Sequence, residues 1–332
     1  MSKRDLMAKV FKNEKAERVP IGFWFHYAKD ELVDGFKNPE IFDINIAGHR
    51  KFYNEFKPDF VKIMTDGYFI YPNEPFIGAE KASDLRKVKP LGEKHEWIEK
   101  QVAFAKTLTG FFGSEVMSFY NLFAPATLFR FARLKSGKAN KSLTDFIVED
   151  KDAVACALDA AAQDLAALAR RVIGEGRADG VYYSTQDLND SRVSEDVQEK
   201  IVTPADYKVL EGANSAGRYN ILHICGYEGC RNNLARYADY PAQIINWATV
   251  VEQVSLAEGK KIFRGKPVIG GFDNTVKGVL YRGGKAEIEA ETERLLKEAG
   301  AVGVVLGADC TIPQHIDLHH LQWVRDKAAS FS

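Results

Sequence analysis

A short apolar run followed by a stretch of helical period recurs along this chain, and that repeat narrows the fold more than any other feature. Apolar runs stand at residues 21–25 (Ile-Gly-Phe-Trp-Phe) and 60–64 (Phe-Val-Lys-Ile-Met), then at 115–123, 180–184, 219–225, 243–247, 267–271 and 303–306. The intervening pattern predicts helices at 40–56, 93–110, 153–173, 228–237, 249–260 and 285–299, after an amphipathic opening helix at 3–13 with Leu6, Met7 and Val10 inward. A strand with one face in water alternates polar and apolar residues. Runs without that alternation suit a parallel sheet covered on both faces. Eight strand–helix units predict an α/β chain folded as a single (β/α)8 TIM barrel over residues 1–332, with chemistry at the C-terminal strand ends. An open, doubly wound sheet is the alternative.

With 332 residues, 45% of them hydrophobic, the chain can bury a large core. Its formal net charge of −1, with both signs well mixed, argues against a nucleic-acid or membrane partner. No apolar stretch has the length of a membrane span or the shape of a signal peptide. Four cysteines in a chain this long are no disulfide framework, so they read as packing, metal or redox residues of a cytoplasmic protein.

The chemistry concentrates at Ile221-Leu222-His223-Ile224-Cys225-Gly226. Residues two apart on a strand share a face, so His223 and Cys225 project together, away from Leu222 and Ile224. An imidazole beside a thiol offers two ligands for zinc. Cys310, at the end of the last apolar run, is the best third ligand. Cys230 is a rival placed past two glycines at the start of the next expected helix, and Cys156, among alanines, reads as core. Asp66, before Gly67, is either a turn residue or a catalytic carboxylate at a strand end. Asn246 and Trp247 end the sixth strand and are candidates for the substrate-binding wall, with packing as the alternative. His315, His319 and His320 read as surface residues around a final helix with Asp317 as its N-cap. The aromatic cluster Phe23, Trp24, Phe25, His26 and Tyr27 is either core or cavity wall.

Over almost its whole length the chain resembles the uroporphyrinogen decarboxylase superfamily. The resemblance rests on the opening helix with Arg18-Val19-Pro20, on Gly270-Gly271-Phe272-Asp273-Asn274 followed by Tyr281-Arg282-Gly283-Gly284, and on residues 306–313. That superfamily holds porphyrinogen decarboxylases and zinc methyltransferases that move methyl groups between corrinoid proteins and thiols. The second branch carries His-x-Cys and a distant Cys, here His223-Ile224-Cys225 and Cys310. The decarboxylase branch places two arginines after its first strand, where Phe25 and Lys29 stand here, and a tyrosine where Phe131 follows Ala124-Pro125-Ala126-Thr127-Leu128. Lysine is a poor substitute for a bidentate arginine. Its terminal Gly-His-Gly region is replaced by Gly307-Ala308-Asp309-Cys310, and only Asp66 matches. The resemblance therefore implies a methyltransferase with Zn2+ on His223, Cys225 and Cys310, a corrinoid protein as partner and methyl carrier, a small-molecule thiol as acceptor, and Asp66 as proton acceptor or substrate anchor. A decarboxylase and a noncatalytic barrel with structural zinc are the alternatives.

Overall fold

The computed structural model describes residues 1–331. Eight strands form one parallel sheet: β1 (Ile21–Gly22), β2 (Phe60–Ile63), β3 (Met117–Phe123), β4 (Gly180–Thr185), β5 (Ile221–Ile224), β6 (Ile244–Trp247), β7 (Val268–Phe272) and β8 (Val304–Ala308). β2 to β8 pair in sequence order, and β8 pairs in turn with β1 through Ile21 opposite Leu306. Helices alternate with the strands, so the architecture is the (β/α)8 barrel that the pattern predicts.

The seam between β1 and β2 is joined by side chains rather than by a backbone ladder among the described residues. Asp59 accepts from the Ile21 amide at 2.9 Å and from both terminal nitrogens of Arg18 at 2.7 and 2.6 Å. The first strand is accordingly shorter than residues 21–25. Gly22 lies under the Phe60 ring, where a Cβ would come within 1.9 Å of a ring carbon. Beyond it Trp24 turns into the barrel against Phe60 and Tyr182.

The helix Lys3–Phe11 closes the N-terminal end of the barrel. Ser2 caps it by accepting from the Asp5 amide, and Met7, Val10 and Phe11 press into the inner layer made by Phe60, Phe119, Ile221, Ile244, Ile269 and Val305. Each such side chain stabilises the fold by roughly 1.5–3 kcal/mol relative to exposure. A second, larger apolar layer lies between the sheet and the outer helices.

Three expectations fail for physical reasons. No long helix forms over 228–237; two short 3-10 turns, Tyr227–Gly229 and Leu234–Tyr237, stand there instead. Gly229 has φ +73°, and the amides of Asn232 and Asn233 are taken by the carboxylates of Glu252 and Asp187. Cys230 therefore ends a turn rather than opening a helix. The helix expected at 249–260 is split at Gln253 (φ +55°) into Thr249–Glu252 and Leu256–Ile262. Cys156 is exposed, because Ala153, Val154, Ala157 and Leu158 take the inward face of the helix Leu143–Gly174. Asp317 does cap the last helix, Leu318–Ala329, accepting from the His319 amide at 2.9 Å. No described helix is long and apolar enough to cross a membrane.

Candidate metal centre

His223 lies on the inner face of β5, with Cys225 one residue beyond the strand and on the same side. Cys310 comes from the turn after β8. One donor atom from each lies within 4.8 Å of the others, and this is the only such His/Cys/Asp/Glu group among the described residues. Cys230 is not part of it.

The neighbouring strands hold this arrangement. Asn246 on β6 donates from Nδ2 to the Ile269 carbonyl at 2.8 Å, which turns its Oδ1 toward Nδ1 of His223. Nδ1 therefore carries the imidazole proton, leaving the lone pair on Nε2. That Nε2 is buried and has no hydrogen-bond partner among the described residues. Buried polar atoms are rarely left so, and a metal ion among the three donors would satisfy it. Gly270 (φ +137°) lies against the Asn246 amide, where a Cβ would approach Nδ2 to 3.2 Å. On the other side, Asp309 accepts from the Thr249 hydroxyl at 2.7 Å and the Val250 amide at 2.8 Å, fixing the turn that presents Cys310. Burial nonetheless pushes the Asp309 carboxyl up to about 7.

Without metal the two thiols share their protons unequally. The hydrogen bond between them, with burial, pushes the Cys225 thiol up. The same bond draws Cys310 down against burial, helped by the charge of Lys62. One nitrogen and two sulfurs are a donor set that would suit zinc.

The centre opens into a cavity of about 590 Å³ at the C-terminal mouth, in the range of small-molecule sites. Met64, Phe69, Phe123, Phe131 and Ile312 form its apolar wall. Three cationic residues also line it: Lys29, Lys62 and Arg130. Lys62 points inward from β2, its Nζ 4.2 Å from the Tyr182 ring centre and 4.9 Å from that of Trp24. Burial pushes this amine down to about 8 against the charges of Cys310, Cys225 and Asp66. The Arg130 guanidinium lies over Tyr227 at 4.8 Å and Phe131 at 5.5 Å.

The remaining candidates divide. Asp66 is fully buried and does not line the cavity; it accepts from the amides of Tyr27 (2.7 Å) and Ala28 (3.1 Å) and is paired with Nδ1 of His26 (2.8 Å). His26, one of the unassigned aromatic cluster, is the member of this pair on the cavity wall. Asn246 acts on His223 rather than facing the cavity. Trp247 points the opposite way, its Nε1 donating to the Val254 carbonyl at 3.0 Å and its ring packed on Phe263 in the outer layer. Successive strand residues face opposite sides, so Asn246 and Trp247 cannot both reach the interior. Phe25 packs in the core against Phe52, while Lys29 and Phe131 line the cavity. Lys62 and Arg130 went unnoticed in the sequence. For Lys62 a signal existed: it shares a face with Phe60 and Met64 inside an apolar strand.

The sequence model of the family described as uroporphyrinogen decarboxylase (URO-D) matches residues 61–331. No curated protein sequence matches the chain. Among solved structures, a methyltransferase from Methanosarcina mazei superposes with a TM-score of 0.68 at 16% identity, covering 100% of this chain and 99% of the other. A B12-independent methionine synthase from Shewanella sp. W3-18-1, in complex with selenomethionine, gives a TM-score of 0.52 at 12% identity over 94% of this chain and 97% of the other. At these identities the likeness is one of fold.

Proposed function

The chain belongs to the uroporphyrinogen decarboxylase family, and we propose that within it the protein is a zinc-dependent methyltransferase, moving a methyl group from a methylated corrinoid on a partner protein to a small-molecule thiol. The observation that carries this reading is the buried, unpartnered Nε2 of His223 grouped with the sulfurs of Cys225 and Cys310. Zinc, held by His223, Cys225 and Cys310, would supply the positive charge that favours a substrate thiol as thiolate near neutral pH.

The chain's own residues do the rest. Asn246 holds His223 in the tautomer that presents Nε2. The Asp309 contacts keep Cys310 facing His223. The apolar wall lowers the solvation of a thiolate beside it, which makes the sulfur more nucleophilic. Methyl transfer as the reaction class is supported by the two structural neighbours, one described as a methyltransferase and one as a methionine synthase. The second is described as B12-independent, so the methyl donor is tested directly with methylcobalamin. Decarboxylation of a porphyrinogen fits less well, since Phe25 is committed to the core and Asp66 to His26 and two amides.

Protein purified without added metal should carry about one zinc per chain. With methylcobalamin standing in for the methylated corrinoid protein, a panel of small thiols should be methylated, with loss of the methylcobalamin spectrum. Cys310→Ala should lose both zinc and turnover while the barrel persists. Zinc retained in full by that variant, or no zinc-dependent demethylation with any thiol, would remove the reading. Formation of coproporphyrinogen from uroporphyrinogen would assign the decarboxylase reaction instead.

A further inference from the structure

We propose that His26 is the group that takes the proton from the substrate thiol, with Asp66 as its positioning residue and Glu31 as the proton's exit to solvent; this rests on the methyltransferase reading above. Asp66 itself is badly placed for the task. It is fully buried, and its two oxygens are already engaged by His26 and by the amides of Tyr27 and Ala28. Its pairing with Nδ1 puts the His26 proton on that nitrogen and leaves Nε2 as the basic one. His26 lines the same cavity as the metal centre, with the Phe69 ring edge-on at 6.0 Å. Nε2 lies 3.1 Å from the Glu31 carboxylate, whose side chain is 44% exposed. The order from the inside outward is therefore carboxylate, imidazole, carboxylate, water.

The charged groups around the ring favour this use. Burial opposes a charge on His26, but the hydrogen bond and charge of Asp66, then the charges of Glu31 and Cys310, outweigh it and raise the imidazole above its ordinary range. Lys29 and Lys62 line the same cavity and bear the opposite charge. Asp66 stays ionised: burial works against its charge, and the His26 contact with the two amides prevails. In the proposed step the S–H bond of the substrate breaks, the proton moves to Nε2, and the electron pair remains on sulfur. The imidazolium is then held between two carboxylates until Glu31 passes the proton to water and His26 returns to neutral. Since the imidazole midpoint is raised, the accepting form accumulates only above that midpoint, and the acid limb of turnover should follow it.

The pH dependence of thiol methylation by the zinc-loaded protein is to be compared with the titration of His26 read by NMR of the imidazole. The acid limb of wild-type turnover should coincide with the His26 midpoint. In His26→Gln that limb should vanish and thiol methylation should fall by about 10²–10⁴-fold. Asp66→Asn should lower the His26 midpoint and shift the acid limb of turnover to lower pH by the same amount, which lost packing alone would not do. An acid limb that persists unchanged in His26→Gln would overturn the assignment, as would one that ignores Asp66→Asn. Should His26→Gln fold poorly, the Asp66→Asn shift decides. A wild type that neither binds nor methylates any thiol counts instead against the methyltransferase reading.

Discussion

At the N-terminal end of the barrel the inward positions are Phe60 on β2, Ile221 on β5 and Ile244 on β6, sealed by Met7, Val10 and Phe11. Two residues further along the same strands, the same inward face carries Lys62, His223 and Asn246. Over roughly 7 Å of strand the interior thus changes from close-packed hydrocarbon to buried polar groups. The floor contributes burial free energy and asks for nothing specific. The mouth costs desolvation, and the structure offsets it with Asn246 on His223, Thr249 and Val250 on Asp309, and backbone amides on Asp66. Stability and chemistry are therefore separable along each strand, and substitutions at the two ends should fail in different ways.

The largest expected effect lies at the floor. Phe11→Ala removes a ring packed on Phe119 and Tyr219 and should cost about 3–5 kcal/mol in urea denaturation, with the zinc content of the folded protein unchanged. Loss of metal at constant stability would break the comparison. The next effect tests the layer that supports the mouth. His49 is buried, its Nε2 accepting from the Met64 amide at 2.9 Å and its Nδ1 bonded to the Asn45 carbonyl at 2.8 Å, and burial pushes the imidazole down to about 4. The folded protein thus resists the proton that the unfolded chain accepts near pH 6.5. Its contribution is present above that pH and lost as pH falls toward 4, about 3 kcal/mol in all, measurable on metal-free protein. His49→Gln should flatten this slope. The smallest effect is at the mouth: Asn246→Ala should weaken zinc binding about 10–100-fold, or ~1.4–2.7 kcal/mol, by freeing the His223 tautomer. A competing chelator measures it, and an unchanged affinity would mean that Asn246 merely packs.

Much of this was legible because it depends on local period. The strand–helix alternation implied the barrel, and period two along β5 put His223 beside Cys225. The same rule, applied to β6, already separates Asn246 from Trp247. It also marks Lys62 as a charge pointing inward. Residues 228–237 misled because helical propensity says nothing of distant carboxylates, and Glu252 and Asp187 capture the amides that a helix would need.

By itself the sequence determined the architecture and the inward face of the opening helix, and it singled out His223, Cys225 and Cys310 as one nitrogen and two sulfur donors, because each follows from side-chain period and ligand type within a few residues. Only the tertiary structure decided that Asp66 turns its oxygens to His26 and away from the cavity, that Asn246 sets the His223 tautomer, and that Arg130 and Lys62 enter the same space as Cys310. These depend on how strands far apart in the chain come to adjoin, and on which buried polar atom finds a partner, and neither is encoded in any single stretch.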